Sequence, residues 1–139
     1  MPEKKRVLFV CIENSCRSQM AEAFVHLYAT DSIQAFSAGS RPSGKVNPMA
    51  INTMAELGYN LNLHYSKSLR DVPQVKYDYV ITMGCGDECP FIPAEHHEDW
   101  DLPDPKMLPM DEFRQVRDRI GERVKELAER IEVKDYAES

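Results

Sequence analysis

Val7-Leu-Phe-Val-Cys11-Ile-Glu-Asn-Ser-Cys-Arg17-Ser-Gln-Met-Ala-Glu22 is the stretch whose reading decides the fold. Arg6–Cys11 is a continuous apolar run with β-branched and aromatic members, the pattern of a strand buried on both faces of a parallel sheet. Glu13–Cys16 is short and polar. From Ser18 onward, Met20, Ala21, Phe24, Val25 and Tyr28 fall on one side at helical spacing. Ser18 with Glu22, or Ser15 with Ser18, is expected to cap the start of that helix. A polar loop between a buried strand and an amphipathic helix is where α/β folds hold ligands.

Working outward, Ile33–Ala38 reads as a second strand closed by Gly39, and Pro48 opens a helix through Leu57 that Gly58 stops. Tyr77–Met83 is a third strand ending at Gly84. Five prolines between Pro90 and Pro109 make residues 84–110 mostly loop, with a short strand near Glu98–Trp100. Met110–Ile131 is the last helix, with Phe113, Val116, Ile120, Val124 and Leu127 as its buried stripe, and the tail from Lys134 to Ser139 is expected to fray. Strands alternating with helices imply an α/β fold in one domain spanning residues 1–139.

The chain has 139 residues, 42% hydrophobic and 29% charged, an ordinary globular balance that argues against disorder. With 17 Lys+Arg against 23 Asp+Glu it carries a formal charge of −6. That excludes a binder driven by the nucleic-acid backbone, which needs concentrated positive charge. The dense apolar run Val7–Ile12 is far shorter than the ~20 residues that span a bilayer. A polar loop follows it where a signal peptide would have small residues and a cleavage site. A cytoplasmic protein with no nucleic-acid or membrane partner is expected, acting as a monomer.

Cys11 and Arg17 stand in a Cys-x5-Arg spacing. The spacing alone is weak, and its setting strengthens it. Successive backbone N–H groups in such a loop can curl round a tetrahedral oxyanion at a helix N-terminus. Ile12, Glu13, Asn14, Ser15, Cys16, Arg17 and Ser18 are therefore the candidate oxyanion-binding residues. Arg17 supplies a planar fork for two oxygens, and the same positive field favours Cys11 as a thiolate nucleophile. Ser18 can hydrogen-bond that sulfur, and the Asn14 amide can hold the loop. The side chain of Glu13 is expected to point outward, away from the anion. A merely structural cysteine near a surface arginine would leave the polar loop unexplained.

At this point the chain resembles the low-molecular-weight protein tyrosine phosphatase superfamily, and within it the thioredoxin-coupled arsenate reductases. The resemblance runs through Val10-Cys11-x5-Arg17 to Glu22, Ser37-Ala-Gly39, Val46-Asn-Pro-Met-Ala50, Asp78–Met83, Cys89-Pro90, Trp100–Pro105 and Phe113-x3-Arg117-Asp118. It implies a single-domain three-layer sandwich, with a central four-stranded parallel sheet and helices on both faces. It also implies a catalytic set of Cys11, Arg17, Asp104, Cys85 and Cys89. Asp104, before Pro105, takes the place of the acid that protonates the departing oxygen, whereas Asp101 reads as a turn residue.

Two features favour reductase over phosphatase. Lys106 and Met107 follow the Asp-Pro where the phosphatases of this family carry aromatic residues. And Cys85-Gly-Asp-Glu-Cys89 offers a dithiol, whose oxidation to a disulfide supplies the two electrons that a reduction needs. The resemblance therefore implies arsenate as substrate, with phosphate or sulfate as competing oxyanions. It implies no bound cofactor, and thioredoxin, or glutaredoxin or glutathione, as external reductant. A phosphatase with redox-regulatory cysteines is the alternative. Inert thiols and half of a zinc site remain as other readings of Cys85 and Cys89. Zinc would have to recruit Cys11 and Cys16, destroying the loop, or His96 and His97.

The chain also departs from the family. The better-known reductases space their relay cysteines more widely than the x3 found here. Some members arrange potassium around a loop asparagine, a helix glutamate, a serine and an aspartate. Asn14, Glu22 and Ser37 match, but Lys67 replaces the aspartate, so its ammonium is expected in the cation's place and no metal site is predicted. Cys16 reads as structural or as a disulfide shield for Cys11. His26 and His64 read as surface or packing residues, the methionines as core filler, and the charge-dense last helix as a solvated face.

Overall fold

Strand β1 (Lys5–Cys11) is an inner strand, paired in parallel with β2 (Ile33–Gly39) on one side and β3 (Tyr77–Thr82) on the other. β4 (Ala94–Asp99) adds to β3, again parallel, giving the order β2-β1-β3-β4. The computed structural model describes residues 4–84 and 89–138. The α-helices are α1 (Arg17–Tyr28), α2 (Pro48–Ala55) and α3 (Met110–Glu138).

The alternation of side chains along β1 divides the core in two. Val7 and Phe9 face a large cluster that also takes in Met20 and Phe24 of α1, Ala50 and Met54 of α2, and the α3 stripe of Phe113, Val116, Ile120, Val124 and Leu127. Leu8 and Val10 face the other side, where Ala38, Val72, Tyr77 and Val80 complete a smaller cluster. That second face is covered by the segment carrying the 3-10 turn Leu69–Asp71, with Cys89, Ile92 and Ala94 packed against it. Side chains such as Phe9, Met20 and Phe113 are fully buried, each worth about 1.5–3 kcal/mol relative to exposure.

The helix ends follow local chemistry. Asn47 caps α2 by accepting from the Met49 N–H, and Pro48 occupies the first turn. The helix stops at Ala55, two residues short of the Leu57 expected from the pattern. Arg117 of α3 then donates to the Thr53 carbonyl and to Glu56, meeting the open C-terminal end with a cation. Hydrogen bonds from Arg114 and Arg117 hold the Glu56 carboxyl down to about 2.

Two boundaries differ from expectation. β4 begins at Ala94 instead of near Glu98, because Ala-Glu-His-His-Glu-Asp has no apolar alternation and is exposed along most of its length. It is an edge strand whose polar side chains also guard the open edge. α3 runs to Glu138 instead of ending at Ile131. The buried stripe ends there, but the residues that follow include good helix formers and no Gly or Pro to stop the backbone. Among the described residues no helix is long and apolar enough to cross a membrane.

Candidate active site

β1 ends at Cys11 and α1 begins at Arg17, so five residues must turn the chain at the carboxyl end of an inner strand. The carbonyls of this loop all accept from outside it. Ser40 N–H donates to Cys11 O, Arg41 N–H to Ile12 O, Ser43 N–H to Glu13 O, Asn47 N–H to Ser15 O and Met20 N–H to Cys16 O, while the Gln19 amide donates to Asn14 O. In planar trans peptides the N–H points opposite to the carbonyl, so the loop turns its N–H edges inward. α1 has no side-chain N-cap, which corrects the expectation for Ser15 and Ser18. Its first-turn N–H groups stay open to an anion.

Ser18 is used instead on the sulfur. Its Oγ accepts from Asn14 Nδ2 at 2.7 Å and lies 2.8 Å from Cys11 Sγ, so its single proton is left to point at the sulfur. Asn14 is fully buried with a left-handed φ of 51°, a conformation Asn tolerates better than most side chains. Its Oδ1 accepts from Gln19 Nε2 at 2.8 Å and from the Lys67 N–H at 3.0 Å. The loop lies so close to β2 that a Cβ at Gly39 would stand 2.5 Å from Ile12 O.

Arg17 is 6% exposed. Its Nη1 donates to the carbonyls of Met83 (2.5 Å) and Leu102 (3.0 Å), which aims the guanidinium and leaves its Nη2 toward Asp104 Oδ2, 3.9 Å away. Gly84, at φ 82°, makes room: a Cβ there would lie 2.9 Å from that Nη1. Asp104 caps its own Pro-led turn by accepting the Lys106 N–H at 3.0 Å. Cys11, Ile12, Glu13, Ser15, Cys16, Arg17 and Asp104 together line a small recess of about 20 Å³. The Glu13 side chain, about one-third exposed, pairs with Lys106.

Cys11 and Cys16 are free and buried thiols. Burial first, then the charges of Asp104 and Cys11, push the Cys16 thiol up to about 12, so it remains protonated at neutral pH. Cys89 is disulfide-bonded and packs against the smaller cluster on the other face of the sheet. Cys85 lies outside the described residues.

Sequence reading missed what supports the loop from behind. His64 is not a plain surface or packing residue: its Nδ1 lies 2.9 Å from Gln19 Oε1 and 3.0 Å from Glu22 Oε2, and its Nε2 lies 2.5 Å from the Tyr59 hydroxyl. Burial keeps His64 below its ordinary range despite Glu22, so the ring is neutral, with Nδ1 donating and Nε2 accepting from Tyr59. The ammonium of Lys67 reaches Ser37 Oγ at 3.3 Å and Glu22 Oε1 at 3.9 Å, among the groups where the sequence placed it. Glu22, His26 and His64 bring ligand atoms within 4.8 Å of one another. Glu22 is nevertheless already matched by Lys67, and both nitrogens of His64 are engaged. The signal available in sequence was Glu22 and His26 four apart on one helix, but the third partner comes from a distant turn.

The chain is similar to known proteins over most of its length. Residues 6–137 match the family described as low molecular weight phosphotyrosine protein phosphatase. A glutaredoxin arsenate reductase of a Synechocystis species is 39% identical over 130 residues, covering 91% of this chain and 98% of that protein. A solved arsenate reductase in a phosphate-binding state superposes with a TM-score of 0.82 at 39% identity, over 91% of this chain and 98% of the other. The thioredoxin-dependent arsenate reductase of Corynebacterium glutamicum gives 0.75 at 34% identity, over 94% of this chain and 63% of that one.

Proposed function

This chain belongs to the low molecular weight phosphotyrosine protein phosphatase family, and from that premise we propose that it reduces arsenate to arsenite as a single domain spanning residues 1–139. The observation that carries the reading is the pairing of two features in one chain. One is a small recess that Cys11, Arg17 and Asp104 line together. The other is a second cysteine site in which Cys89 is already disulfide-bonded while Cys11 stays free.

In the proposed cycle the loop N–H groups and Arg17 hold arsenate. The Cys11 thiolate forms a bond to arsenic, and Asp104 gives a proton to the oxygen that leaves as water. The Cys85 thiolate then attacks Cys11 Sγ. The sulfur–arsenic bond breaks with its electron pair going to arsenic, which departs as arsenite, and a Cys11–Cys85 disulfide remains. Cys89 attacks Cys85, freeing Cys11, and an external dithiol of the thioredoxin or glutaredoxin type reduces the Cys85–Cys89 disulfide. Two thiols are oxidised for each As(V) taken to As(III), so the electrons balance. Cys16, held protonated, takes no part, and Ser18 steadies the departing Cys11 sulfur.

The second reading is a phosphatase, since Cys11, Arg17 and Asp104 also suffice for hydrolysis through a phosphocysteine. Lys106 and the 88% exposed Met107 offer an aryl ring no clamp, which favours the reductase. The test is NADPH oxidation with thioredoxin and thioredoxin reductase, with and without arsenate, beside p-nitrophenyl phosphate hydrolysis. Arsenate-dependent oxidation supports the proposal. Rapid hydrolysis without it favours the phosphatase.

A further inference from the structure

Glu13 stands two residues after the nucleophile and Lys106 two residues after the acid. Their side chains meet, with Lys106 Nζ 3.2 Å from both Glu13 carboxylate oxygens. Both ends of this contact are anchored. The Glu13 carbonyl is pinned by the Ser43 N–H and the Ser66 hydroxyl at 3.1 and 2.9 Å, and the Lys106 N–H is tied to Asp104 Oδ1. With Asp104 near Arg17, the contacts close a ring: loop, Glu13, Lys106, Asp104, Arg17 and back to the loop.

We infer that the Glu13–Lys106 pair is a charged latch over the oxyanion recess that sets the size of its ligand, admitting free tetrahedral oxyanions and disfavouring those that carry an aryl group. Glu13 and Asp104 line the recess from two different loops, and Lys106 contacts both of them, so on this inference the pair stands in the way of a substituent on a bound anion. A free oxyanion has no substituent and leaves the latch shut. The ammonium also masks the Glu13 charge, which would otherwise repel a dianion at the entrance. The partners are about half and one-third exposed, so opening costs little in absolute terms. It supports a discrimination of about three- to fivefold, the ratio one exposed ion pair sustains.

The inference rests on the proposed oxyanion site and not on the disulfide relay. Its test is titration calorimetry of the reduced protein with inorganic phosphate and with phenylphosphonate, read as the ratio of the two dissociation constants. Wild type should favour phosphate. Glu13→Gln opens the latch and should shift the ratio about three- to fivefold toward phenylphosphonate, and Lys106→Glu should shift it the same way. The exchanged pair Glu13→Lys with Lys106→Glu should restore the ratio to within about twofold of wild type, which a merely structural role for either side chain would not produce. Raising the salt should move wild type toward the Glu13→Gln ratio while leaving that variant's own ratio steady. An unchanged ratio in Glu13→Gln, or no restoration by the exchange, overturns the latch. If wild type binds phosphate but the ratio does not respond, only the latch fails; if wild type binds neither ligand, the oxyanion site and the latch fail together.

Discussion

Replacing Asn14 by alanine tests whether the loop is held by its own buried amide. The side chain makes three hydrogen bonds: to Ser18 Oγ, and from Gln19 Nε2 and the Lys67 N–H. Each is worth roughly 0.5–1.5 kcal/mol net, and more where the partner left behind stays buried and unmet. Alanine must also keep a φ of 51°, which costs roughly 1–2 kcal/mol. Together these place Asn14→Ala about 2.5–6.5 kcal/mol below wild type. Asn14→Gly loses the same bonds without the backbone strain, and its extra unfolded-state freedom offsets part of that relief. It should be no less stable than the alanine variant. Urea unfolding of the reduced proteins at constant m reads these differences, and phosphate titration should show affinity reduced at least a hundredfold in both. A loss below about 1 kcal/mol in Asn14→Ala, well under one well-made buried network, would refute the reasoning.

Other outcomes follow from single contacts. Gly84→Ala adds a Cβ 2.9 Å from Arg17 Nη1 and 2.8 Å from Leu102 O at a positive φ, so phosphate affinity should fall at least tenfold; wild-type affinity would show that Arg17 does not touch the anion. Because His64 is held below its ordinary range by burial, the unfolded chain takes up a proton that the folded chain refuses. Stability from this group is full above pH ~6.5 and is lost as pH falls from there toward the folded value. His64→Gln should flatten that part of a Tm-against-pH curve, and an equally steep curve would assign the slope elsewhere. Lys67→Met removes an ammonium that depresses His64, so the NMR titration of His64 should move upward and stability should fall by about 1–3 kcal/mol; a downward move would contradict the network.

The strand, loop and helix from Arg6 to Tyr28 were legible because their signals are local: an apolar run, a polar break and a 3.6-residue period. β4 was not, since Ala94–Asp99 becomes a strand only through its pairing with β3. The end of α3 is hidden for a related reason, because the periodic stripe reports the packed face and not the length of the backbone helix. At the site, Cys11 and Arg17 could be read from spacing and Asp104 from its Pro-flanked loop and family likeness. The arrangement of Gln19, Glu22, Tyr59 and His64 could not, since α1 meets a turn some 40 residues later in the chain only in the folded state. The Glu13–Lys106 contact spans 93 positions, and nothing in either local sequence points to the other.

The relay is the claim that separates reduction from hydrolysis, and the Cys89→Ser variant tests it most directly. Mixed with arsenate, it should release about one arsenite per chain, the yield of a single dithiol oxidation, and then stall with Cys11 and Cys85 joined, as peptide mapping under non-reducing conditions would reveal. Sustained arsenite release by the Cys85→Ser, Cys89→Ser double variant, with thioredoxin as sole reductant, would contradict the account.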